Sequence, residues 1–86
     1  LLRLVPLLSP EARATLAAAA VDADGQVKTA FATREAARIA LERAEKLFKS
    51  EAGSQRAVDD AKERFEVAEK GHAAAVARRK LLTDVL

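Results

Sequence analysis

His72 is the single histidine in a chain of 86 residues that holds no cysteine, methionine, tryptophan or tyrosine. A histidine needs a partner to do chemistry: a nucleophile to activate, a carboxylate to orient it, or further soft ligands to close a metal site. No second His or Cys exists here. Two carboxylate pairs, Asp22/Asp24 and Asp59/Asp60, lack the looped arrangement of oxygens that calcium requires. There is no glycine-rich phosphate loop, and three Phe offer no platform for stacked bases. Arg78-Arg79-Lys80 is the only basic run, too short to read as a nucleic-acid surface. No catalytic residue, cofactor or metal is therefore expected, and nucleic acid is not an expected partner. His72 reads as a polar residue in a packing seam, and the carboxylates as solvated charge.

The elements that carry these residues follow from composition. Ala, Glu, Lys, Leu and Arg make up 55 of the 86 residues, the signature of long helices or coiled coil. Both prolines lie within the first ten positions and only three glycines are present, which excludes a turn-rich β architecture. The signs of charge are interspersed, with 15 basic and 13 acidic residues, as on solvated helix faces. No stretch reaches the roughly 18 apolar residues of a membrane-spanning helix.

Residues 1–9 read as an extended entry, because Pro6 restricts itself and Val5. Ser9-Pro10-Glu11 is a helix start: a capping hydroxyl, a proline at the first helical position and an acid facing the positive end of the dipole. The first helix is expected over about 10–51. Gly25 is its one weak point, and a break there would give a three-helix bundle. Ala52-Gly53 reads as the turn, with Gly53 supplying a left-handed residue and Ser54 capping a second helix over about 54–86. A connection this short makes the two helices antiparallel.

Apolar positions then recur alternately three and four apart. In the first helix they are Leu16, Ala20, Ala23, Val27, Ala30, Arg34, Ala37, Leu41, Ala44 and Phe48. In the second they are Val58, Ala61, Phe65, Ala68, His72, Ala75, Arg79, Leu82 and Leu86. The expected fold is all-α, an antiparallel two-helix coiled-coil hairpin over 10–86, with His72 opposite Arg34. A second stripe on the first helix, including Thr33, Ala37, Ala40, Ala44 and Leu47, has no use within a hairpin and predicts contact with a neighbouring subunit.

The stretch Arg43-Ala-Glu-Lys-Leu47-Phe-Lys-Ser-Glu-Ala-Gly-Ser54-Gln-Arg-Ala-Val-Asp59 resembles the hairpin tip of the membrane fusion proteins. These are the periplasmic adaptors of tripartite efflux pumps and related secretion systems. The family's tip signature is an Arg, a Leu four residues later and a Ser seven beyond that, and Arg43, Leu47 and Ser54 match all three. Leu8-Ser9-Pro10-Glu11 is similar to the family's passage from a lipoyl-like half-motif into the hairpin.

The resemblance implies a structural, non-enzymatic role. Such adaptors assemble into rings whose hairpins build a tube and dock on a TolC-type outer-membrane channel. Arg43, Leu47 and Ser54 would be the tip contacts. Neighbouring adaptor subunits would be partners, and so would an inner-membrane transporter, reached through lipoyl-like, β-barrel and membrane-proximal domains that this chain lacks. The location would be periplasmic, in association with the inner membrane. The alternative is a coiled-coil dimerisation or scaffold segment with no channel partner.

Overall fold

The computed structural model describes residues 9–85, which form two helices: α1, Pro10–Lys49, and α2, Gln55–Val85. No strand occurs among the described residues. Most of the extended entry expected for residues 1–9, and the seam residue Leu86, lie outside them. The protein is an all-α antiparallel hairpin, a rod of 64 × 20 × 12 Å. Its radius of gyration of 19.5 Å far exceeds the roughly 12 Å of a compact chain this long.

α1 begins as its sequence dictates. Ser9 has extended backbone, and its Oγ accepts a hydrogen bond from the Ala12 N–H at 3.1 Å, with Pro10 opening the first turn. The helix then runs for 40 residues without interruption, so Gly25 does not divide it, and no third helix occurs among the described residues. A Cβ built at Gly25 meets nothing within 4 Å. Gly25→Ala is accordingly expected to raise stability by about 0.5–1 kcal/mol, since it removes a helix-interior glycine at no steric cost. A denaturant titration in which the variant unfolds earlier than wild type would contradict this.

The turn departs from expectation. α1 ends at Lys49, two residues earlier than the spacing predicts, and the left-handed residue that closes it is Glu51, φ 63°, rather than Gly53. Around Glu51 the Ala52 N–H donates to the Leu47 carbonyl at 2.8 Å and the Glu51 N–H to the Phe48 carbonyl at 3.1 Å. That pair of bonds is a Schellman closure. The Leu47 carbonyl also accepts from the Gly53 N–H at 3.0 Å and the Ser50 hydroxyl at 3.0 Å.

Gly53 is required for a different reason, namely close approach. A Cβ there would lie 3.0 Å from the Leu47 Cβ and 3.2 Å from the Phe48 nitrogen, neither of which can swing aside. Glycine substitutions at the two positions therefore have opposite signs. Glu51→Gly is expected to stabilise by about 0.5–1 kcal/mol by removing the left-handed penalty, and Gly53→Ala to destabilise by about 1–3 kcal/mol through overpacking. Thermal melts of the two variants check the signs directly.

α2 is capped by Ser54, whose Oγ accepts from the Ala57 N–H at 3.1 Å and whose carbonyl accepts from Val58. The two helices meet along the expected seam. Ala23, Val27, Val58 and Ala75 are its buried members, and Leu16, Ala30, Leu41, Ala61, Phe65, Ala68 and Leu82 are half-buried. Phe48 is the exception at 44% exposed, because the seam runs out at the apex and only the turn lies beyond it.

Polar links across the seam accompany this register. Arg79 Nη1 reaches Asp24 Oδ1 at 3.3 Å, and Arg78 Nη1 donates to Gln26 Oε1 at 2.7 Å. Farther along, the ring of His72 meets that of Phe31 edge-on, with centroids 5.7 Å apart, while the Arg34 guanidinium sits 5.2 Å from the centre of the same ring. His72 and Arg34 thus share Phe31, a residue that lies off the periodic seam. The Arg34 Nε is buried without a hydrogen-bond partner, so the arginine is held by stacking and by Nη2 at 3.4 Å from Glu35.

Hydrogen bonds from Lys28 and Arg79 hold the Asp24 carboxyl below its ordinary pKa, and one from Arg38 does the same for Glu35. Groups lowered on folding contribute stability above the unfolded-state value, near pH 4, and lose it as pH falls through the folded value. The melting temperature is therefore expected to stay level from neutral pH to about pH 5 and to fall below about pH 4. Asp24→Asn is expected to blunt that fall. An acid-insensitive melt, or one unchanged by the substitution, would be inconsistent with these pairs.

Candidate functional site

The longest fully exposed run of the described chain is the apex. Every residue from Lys46 to Ala57 is exposed, and the first buried residue beyond it is Val58, at 5%. Exposure at a tip is ordinary for polar residues. Here it includes two large apolar side chains in succession, Leu47 at 46% and Phe48 at 44%.

Each residue expected at the tip has a definite place. Arg43 and Leu47 are one helical turn apart on the last turns of α1, and both are exposed. Arg43 enters no ion pair among the described residues, whereas the nearby Arg38 is engaged by Glu35 and Glu42. Ser54 lies on the far side of the turn with its Oγ committed to the N-cap bond from Ala57, and as a hydroxyl it can still donate outward. Leu47 is anchored through its backbone: its carbonyl gathers three turn donors, and its Cβ occupies the space that a side chain at Gly53 would need. The side chain that projects from this point is therefore set on a rigid base.

Phe48 was not legible as part of the apex, because its place in the three-and-four spacing assigns it to the seam. The only sequence signal was its position two residues before the turn. Together Leu47 and Phe48 make an apolar surface flanked by Arg43, Lys46 and Lys49, none of which enters an ion pair among the described residues. Such a surface can take part in docking.

Away from the apex, no cluster of three or more His, Cys, Asp or Glu able to hold a metal ion occurs among the described residues. None of their helices is long and apolar enough to cross a membrane. The fold and apex define a class, an all-α helical hairpin presenting a rigid, partly apolar tip. No family model, curated protein or solved structure matches the chain.

Proposed function

We propose that this chain is the α-helical hairpin of a periplasmic adaptor, which spans part of the periplasm and docks its tip on a TolC-type outer-membrane channel. The observation that carries the proposal is the exposed Leu47–Phe48 pair at the closed end of a 64 Å rod. Val21, Phe31, Ile39, Val67 and Leu81 are also exposed along the shaft, but at the apex two such side chains adjoin, and a docking tip gains buried area there. Arg43, Leu47 and Ser54 are the contacts that the tip signature assigns, and all three are exposed. Efflux or secretion through the assembled system, with neighbouring adaptor copies and an inner-membrane transporter, follows from the same resemblance.

A photo-activated cross-linking residue at Glu51, in the full-length protein in cells, tests this. Glu51 is exposed in the turn itself, so replacing its side chain disturbs no packing. Capture of an outer-membrane channel from position 51, and not from Lys62 on the shaft, is the expected result. Capture of the same partners from both positions would instead favour the alternative, a scaffold segment without a channel partner.

A further inference from the structure

We propose that two copies of this chain pair antiparallel, tip over tip, through the alanine-lined flank that ends at Leu47. This goes beyond the adaptor reading and does not rest on it. Two grooves of about 510 and 520 Å³ run along this flank. In the second, Ala36, Ala37, Ala40 and Ala44 of α1 lie level with Asp60 and Arg64 of α2. Thr33, Ala40 and Leu47 recur every seven residues beside Ala37 and Ala44, which the main seam half-buries, and so form a second stripe along its edge. Thr33, Ala40 and Leu47 are all exposed.

Charge says what covers it. Asp60 and Arg64 both line the groove, one turn apart on α2, and neither enters an ion pair among the described residues. A twofold axis crossing α2 midway between them stacks α2 on its antiparallel copy and sets each Asp60 against the other copy's Arg64. The surface is therefore self-complementary, as an isologous contact requires. The same axis stacks α1 on its copy near Ala40 and Ala44. Leu47, the one large side chain of the second stripe between positions 33 and 47, then falls level with Ala37 of the other copy. Large meets small, and two alanine-lined helices can approach closely.

Area is consistent with a second copy. The chain exposes 6664 Å². A compact monomer of its mass would expose about 4,900 Å². The overlap spans about twenty residues of each helix, roughly 30 Å, on a rod 20 Å wide, which gives about 600 Å² per copy, at the lower edge of stable interfaces. The pairing covers Leu47, so it competes with any partner that docks at the tip.

Sedimentation of the chain over a range of concentrations tests the pairing by charge exchange. Wild type is expected to dimerise. Asp60→Arg and Arg64→Asp alone each oppose like charges across the axis, and each is expected to weaken dimerisation at least about tenfold. Asp60→Arg/Arg64→Asp together restore opposite charges and are expected to restore the dimer. Circular dichroism establishes that each variant is folded, and both positions are exposed on α2. A monomeric wild type, single reversals without effect, or a double variant that stays monomeric would each overturn the pairing. Channel docking is read separately, in cells, so failure of the pairing and failure of the docking are distinguishable.

Discussion

Val27→Asp is expected to abolish cooperative unfolding of the hairpin. Val27 is 8% exposed, one of four buried side chains among the described residues, and the seam cation at this level, Arg79, is already engaged by Asp24. An unpaired charge at such a site costs several kcal/mol, or drives the helices apart so that water can reach it. The total stability of a chain this size is only about 4–13 kcal/mol, and a rod with so small a core belongs at the low end. Helicity does not vanish with the hairpin, because an alanine-rich helix of this length keeps some structure alone. The expected readout is therefore a broad, non-cooperative melt at reduced helicity. Val21→Asp supplies the control. It makes the same exchange on the same helix at 71% exposure and is expected to change stability by no more than about 0.5 kcal/mol. Equal melts for the two variants would mean that the seam does not hold the fold together.

The second large effect is at the apex. Leu47→Asp is expected to leave the hairpin folded and to remove docking. The side chain is exposed and off the main seam, so the charge is solvated in the free protein. Against an apolar partner surface the same carboxylate is desolvated without a counter-charge, which costs several kcal/mol. Arg43→Asp is expected to act in the same direction with less effect on folding still, since Arg43 makes no ion pair among the described residues. Ser54→Ala is a poorer probe. It removes the N-cap bond to Ala57 and so costs about 1 kcal/mol of stability whether or not a partner is present.

The seam was legible because two helices with few turn residues can bury apolar side chains in only one way. Val27, Val58, Ala23 and Ala75 all fall where the three-and-four spacing puts them. Caps were legible for the same local reason, in that Ser9 and Ser54 each find the N–H three residues on. The turn was not. A glycine in a turn invites a left-handed reading, yet Glu51 takes that conformation and Gly53 is needed because Leu47 leaves no room for a side chain. Contact of that kind depends on the path of the chain and leaves no mark on composition. Phe31 was missed because a long ring can reach across from beside the seam to His72. The Asp24–Arg79 link was missed because it depends on register to within a turn. At the apex, spacing alone placed Leu47 outside the seam but gave no sign that Phe48 joins it in solvent.

The most direct test of the tip-docking account is efflux-dependent resistance in cells whose full-length protein carries Leu47→Asp or Arg43→Asp, read beside circular dichroism of the same variants. The account predicts loss of resistance with helicity retained. Wild-type resistance for both variants, with each protein expressed and folded, would contradict it and leave a plain coiled-coil segment in its place.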